Sequence, residues 1–250
     1  MAPYEQFPNN KKIIFVGKMG TGKSSLTNML VQGDLYTQNI REVSDSAASV
    51  TSEVKVVDGR NWTACDTVGL GEMQGKSNES ADPAMRLLVR VLEEGQRGFH
   101  YIAYVIKQDR LQTKEHYELF ELFKATFQGA EDNFILVVTH CPNPKWVTNN
   151  REIITQTFGN IPVVTCDFPF DADDISYRRQ ERLDSLPKFE AQLAALPRSP
   201  IVLKLSFKET ATVVVQQKFT NSLEEFLRVG KSIVELVLSV LIPFLNVYSW

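Results

Sequence analysis

A three-layer α/β sandwich with a mostly parallel sheet, one antiparallel hairpin and a C-terminal helical extension is the architecture this 250-residue chain predicts. Three observations predict it. Short β-branched apolar runs alternate with segments of helical periodicity, the pattern of parallel strands joined by right-handed crossovers. Two neighbouring runs are joined by Asp58-Gly59-Arg60, a tight-turn signal that makes them an antiparallel pair. A glycine-rich stretch, Gly17-Lys18-Met19-Gly20-Thr21-Gly22-Lys23-Ser24, separates the first run from the first helix.

Lys12–Val16 is apolar and β-branched and reads as a buried strand. The stretch after it is a complete GxxxxGK[ST] phosphate-binding loop, and Ser24–Gln32 follows with apolar residues at helical spacing. Strand, loop and helix start place backbone N–H groups and a helix N-terminus around one anion. Lys23 is placed to reach the β- and γ-phosphates, and the Ser24 hydroxyl to ligate Mg²⁺. Val54–Asp58 and Trp62–Asp66 form the hairpin; Tyr101–Ile106, Phe134–Thr139 and Ile161–Cys166 are the remaining strands. Helices are expected at Pro83–Glu94, Lys114–Phe127 and Val147–Phe158. Asp167–Asp174 reads as a loop, and Ile175–Leu196 as a charged helix interrupted at Pro187. From Pro197 the chain leaves the nucleotide-binding unit, so residues 11–196 form one domain and 197–250 an extension. Within the extension, Ile201–Phe207 and Ala211–Gln217 suit either strands or a helical hairpin.

Composition narrows the partners. The chain is 43% hydrophobic and 23% charged with net charge −3, and no basic patch or arm points to nucleic acid. Cys65, Cys141 and Cys166 are an odd number without CxxC spacing, which predicts buried reduced thiols. His100 and His116 lack metal-ligand spacing with a partner. The N-terminus has no basic-then-apolar signal, so the cytoplasm is the expected compartment.

The phosphate loop alone does not separate ATPases from GTPases. Asp66-Thr67-Val68-Gly69 ends the third strand and matches the DxxG signature, in which the Asp accepts from a Mg²⁺-bound water and the Gly N–H reaches the γ-phosphate. Upstream, Ala48-Ser49-Val50-Thr51 offers Thr51 as the switch threonine that completes the metal shell. This order resembles the AIG-type (GIMAP, immunity-associated nucleotide-binding) GTPases, relatives of the septins and of the chloroplast outer-envelope import GTPases. Gly98–Ile106 followed by Asp109-Arg110-Leu111-Gln112-Thr113-Lys114-Glu115 looks like that family's characteristic box. The resemblance covers roughly residues 11–165. It implies GTP or GDP as ligand, Mg²⁺ as cofactor, and contacts from Gly17 through Ser25, Gly69 and His140. It also implies self-association through the nucleotide face, with Arg110 supplied to the partner's site as an arginine finger.

Two departures from the family pattern bear on function. The base-reading strand ends Thr139-His140-Cys141-Pro142, which fits a Thr-His version of the motif, but Pro142 stands where its aspartate would accept from guanine. In the next loop, Thr165-Cys166-Asp167-Phe168, Asp167 is the base or ribose contact on offer. Leu70 occupies the place of the water-orienting glutamine, so slow hydrolysis is expected, and Glu72 is the nearby acid. A slow GTPase, a nucleotide-bound oligomeric scaffold and an ATP-binding protein therefore stay open. At the C-terminus, Glu235, Ser239, Pro243 and Asn246 form a narrow polar stripe on an otherwise apolar helix, Ser232–Trp250. A tail anchor, a packed or oligomerising helix, and an in-plane membrane helix are its three readings.

Overall fold

The computed structural model describes residues 10–35, 55–67, 98–109, 111, 113–170, 176–196 and 198–202. Six strands build one sheet: β1 Lys11–Gly17, β2 Lys55–Asp58, β3 Trp62–Asp66, β4 Tyr101–Lys107, β5 Phe134–Thr139 and β6 Val163–Thr165. Their spatial order is β2-β3-β1-β4-β5-β6, and every neighbouring pair is parallel except β2 with β3. The hairpin signal at Asp58-Gly59-Arg60 thus marks the one antiparallel pair, closed by Gly59 N–H donating to Trp62 O at 2.8 Å. The described helices are α1 Lys23–Gln32, α2 Thr113–Thr126, α3 Lys145–Asn149, α4 Arg151–Phe158 and α5 Ser176–Ala194.

Strand side chains alternate faces, which makes three layers. Ile14, Val16, Ile102, Tyr104, Ile106, Leu136 and Val138 face Phe120, Phe123 and Phe127 of the α2 region and Ile154 and Phe158 of α4. Ile13, Phe15, Tyr101, Ala103, Val105, Ile135 and Val137 face Leu26, Met29 and Leu30 of α1 and Phe189 and Leu193 of α5. Both faces are covered, so the central strands read as continuous apolar runs rather than alternating ones. Cys65, Cys141 and Cys166 are buried thiols, as their spacing predicts.

Three local expectations need correction. The helix expected over Val147–Phe158 is two helices meeting at Asn150, whose Nδ2 donates to Trp146 O at 2.8 Å and competes with the helical backbone. β6 is shorter than Ile161–Cys166: Pro162 has no N–H for the ladder, although its carbonyl still accepts from Leu136 N–H at 2.8 Å. Pro187 does not interrupt its helix. It lies exposed inside α5, at a cost of about 3 kcal/mol for a helix interior. Phe189 and Leu193 beyond it are fully buried; each contributes roughly 1.5–3 kcal/mol, and together they hold the helix through the proline.

Ile201 forms an antiparallel bridge with Phe99, through N–H···O contacts of 2.8 and 3.0 Å. The expected helix Pro83–Glu94, the rest of Ile201–Phe207, Ala211–Gln217 and Ser232–Trp250 lie outside the described residues.

Candidate functional site

β1 delivers the chain to the glycine loop at the carboxyl edge of the sheet, where α/β folds bind ligands. Gly17 has φ 143°, and a Cβ there would lie 2.5 Å from the Val105 carbonyl oxygen of β4, so no side chain fits. Gly22 caps α1 in the left-handed region, φ 88°. The first helical hydrogen bond runs from Leu26 N–H to Gly22 O at 2.9 Å, so the N–H groups of Lys23, Ser24 and Ser25 precede it at the positive end of the helix.

The loop is braced by side chains. Thr21 Oγ1 donates to Lys18 O at 2.9 Å. Thr139 Oγ1, at the end of β5, lies 2.8 Å from Thr21 O and 3.1 Å from Ile106 O. Lys23 is buried, with Nζ 2.6 Å from Lys18 O and 3.2 Å from Gly17 O. Its charge therefore sits at the centre of the loop. Ser24 Oγ donates to Oδ2 of the fully buried Asp66 at 2.8 Å. Next to Asp66, Thr67 Oγ1 donates to Phe15 O at 2.6 Å and pins the end of β3 to β1.

Lys18 turns away from the loop's interior and pairs with Glu115 in the first turn of α2. That hydrogen bond and the lysine's charge hold the Glu115 carboxyl below its ordinary pKa. His116 beside it is buried, with Nδ1 3.1 Å from Tyr104 Oη, and burial lowers its pKa to about 4. It is a neutral packing group. His100 likewise serves structure, its Nδ1 accepting from Lys12 N–H at 3.0 Å.

Farther along the same edge, His140 follows β5 with φ 51° and an exposed side chain. Cys141 N–H donates to Cys166 O at 3.0 Å, and Cys166 N–H to Val138 O at 3.0 Å, so the loops after β5 and β6 are stitched together. Asp167 sits beside His140: burial raises its carboxyl pKa, and the charges of His140 and Arg178 pull it back down. Burial also raises both neighbouring thiols, Cys141 and Cys166, which keeps them protonated.

Of the residues singled out in the sequence, Gly17, Lys18, Met19, Gly20, Thr21, Gly22, Lys23, Ser24, Ser25 and Asp66 gather at one place. His140 lies two strands along the edge, next to Thr139, whose hydroxyl meets Thr21 O in the loop. Thr51, Gly69, Leu70, Glu72 and Arg110 lie outside the described residues. Thr139 and Glu115 support the loop without having been assigned a role from sequence, because each acts across about a hundred residues of chain. The arrangement offers a helix-start N–H array, one buried ammonium and a hydroxyl–carboxylate pair of hard oxygens. These suit a polyphosphate and a small divalent cation.

A profile of the AIG1 family matches residues 11–145, from β1 to the first residue of α3 and more than half of the chain. No curated protein matches the chain.

Proposed function

The chain belongs to the AIG1 family of GTPases and carries a GTP-binding G domain; from that premise we propose that it binds GTP with Mg²⁺ through residues 17–25 and hydrolyses it slowly as a nucleotide-dependent dimer. The observation that carries this reading is the 2.8 Å contact of Ser24 Oγ with Asp66 Oδ2. It brings two hard oxygens from separate elements to the mouth of the phosphate loop, the donor chemistry that Mg²⁺ selects. Ser24 would hold the ion directly and Asp66 through a water, with Thr51 completing the shell. An ion held there would neutralise charge on the β- and γ-phosphate oxygens. Lys23 supplies the point charge beside those phosphates, and the N–H groups at the start of α1 orient them.

Leu70 has no group to orient an attacking water, which supports a slow intrinsic rate. Arg110 from a second copy would then meet the developing charge, a role that contributes about 10³–10⁵ in rate where it operates. A second reading, an oligomeric scaffold that holds nucleotide with little turnover, is favoured by the same Leu70.

Titration with GTP and ATP, each with and without Mg²⁺, followed by single-turnover hydrolysis over a range of protein concentrations, tests the proposal. The expected result is Mg²⁺-dependent binding that prefers GTP, with specific activity rising with concentration. Negligible turnover at every concentration would favour the scaffold. Equal affinity for ATP would remove the guanine assignment.

A further inference from the structure

We infer that Asp167, in the loop after β6, supplies the carboxylate that selects guanine. The inference rests on the nucleotide reading above and names the base-reading residue of that same site.

Guanine presents two adjacent donors, N1–H and N2–H₂, and only a group with two acceptor atoms in a fork meets both. The loop after β5 cannot do so at position 142, where proline has neither a carboxylate nor an N–H. Other carboxylates near this edge are engaged: Asp66 accepts from Ser24, Glu115 pairs with Lys18, and Glu181 pairs with Arg178. Among the described residues, none donates a hydrogen bond to the half-buried Asp167 carboxylate.

Its placement is fixed by backbone. The Cys141–Cys166 and Cys166–Val138 hydrogen bonds put Asp167 one residue beyond the stitch that joins the two loops. His140 lies one residue beyond β5 on the other side of that stitch, and its charge acts on Asp167. Thr139, adjacent to His140, carries the hydroxyl that meets Thr21 O in the phosphate loop. The loops that carry the carboxylate and the imidazole thus border the phosphate loop through Thr139, and this is the side to which the proposal assigns the base. Burial raises the Asp167 carboxyl pKa, and the charges of His140 and Arg178 act against that rise. A partly desolvated acceptor that no described residue supplies with a donor gains from a ligand that brings donors. Adenine brings an acceptor, N1, to the same place, and two acceptors facing each other repel.

The chemistry makes a gain-of-function test available. Xanthine keeps N1–H but carries an oxygen where guanine has N2–H₂, and an asparagine amide matches that pair with one acceptor and one donor. GDP, XDP and ADP are titrated into the wild-type protein and Asp167→Asn, with His140→Ala as a second variant and thermal melting as the folding control. Wild type is expected to prefer GDP to XDP and ADP. Asp167→Asn should lose at least ~100-fold in GDP affinity, since unpaired polar edges carry base discrimination of that order or more, and should gain affinity for XDP. His140→Ala should weaken the three nucleotides together. A folded Asp167→Asn that still prefers GDP as wild type does overturns the assignment and leaves the phosphate-loop reading intact. A wild type that binds none of the three overturns both.

Discussion

The carboxyl edge of the sheet has two halves that recognise by different means. Around residues 17–24 the proposed contacts are framed by main chain, with the Lys23 and Ser24 side chains set into it: glycine dihedrals, helix-start N–H groups, and carbonyls of Gly17 and Lys18 that hold the Lys23 ammonium. Around His140 and Asp167 it falls to side chains on loops following β5 and the three-residue β6. The first half lies wholly within the stretch matched to the family, whereas Asp167 lies beyond it. A main-chain site needs glycine at fixed steps and tolerates few sequences. A side-chain site can move its carboxylate from one loop to the next and leave the fold unchanged. On the proposed reading, the difference teaches that phosphate recognition is tied to the architecture, and base recognition is set locally on top of it.

Lys23→Ala strikes the main-chain half hardest. It removes the ammonium at the centre of the loop, and titration calorimetry should detect no GTP binding. Wild-type affinity in that variant would break the comparison at its root, because the loop would then not be the phosphate site.

The support beneath that half has a pH signature. His116 is buried near neutral form at a pKa of about 4, against 6.5 when free. A depressed native pKa means that the unfolded chain takes up the proton first as pH falls, so stability is present above pH 6.5 and is lost on the way down to about 4. The loss amounts to at most about 3 kcal/mol, less whatever solvent screening takes from it. Denaturant unfolding across that range should show it on top of the carboxylate background, and His116→Gln should reduce the slope. An unchanged slope would show that His116 is hydrated and that α2 braces the loop less firmly.

Thr139→Val probes the join between the halves. It keeps the shape but leaves the carbonyls of Thr21 and Ile106 without this hydroxyl. Stability should fall by about 1–2 kcal/mol in denaturant unfolding. GTP and ATP affinity should weaken together, and a change in their ratio would show that the halves are not separable.

Arg110→Ala should leave affinity in both halves alone and slow turnover at least ~10-fold, about 1.4 kcal/mol of barrier. It should also flatten the rise of activity with protein concentration. Mixing it with Lys23→Ala, provided that light scattering shows this variant folded and still pairing with a loaded copy, tests the bridge, since each variant supplies what the other lacks. Activity that is unchanged and concentration-independent would exclude the arginine and leave a slow switch or a scaffold.

The central sheet was legible because burial on both faces writes itself as apolar runs: Trp62–Asp66 and Phe134–Thr139 are bounded as their composition predicts. The strand, glycine loop and helix start at residues 11–32 were legible because that backbone path demands glycine at specific steps. Helix breaks were less so. Asn150 ends α3 through its own side chain, and Pro187 fails to end α5 because buried aromatic and aliphatic contacts downstream outweigh it. Least legible were the braces. Thr139 to Thr21 and Lys18 to Glu115 join residues 118 and 97 positions apart, and nothing in local sequence announces such pairs.

Lys23 already directs its ammonium at two carbonyls of its own loop. An arriving phosphate therefore swaps partners with the protein instead of adding a bond to it. The enthalpy released is the difference between two sets of charge-assisted contacts, smaller than either set alone. The same swap runs backwards on release: the carbonyls take the ammonium back, and no buried cation is left without oxygens around it. On that reading, loading and unloading pass one charge between two sets of oxygens, and the ammonium has oxygens around it at both ends of the cycle.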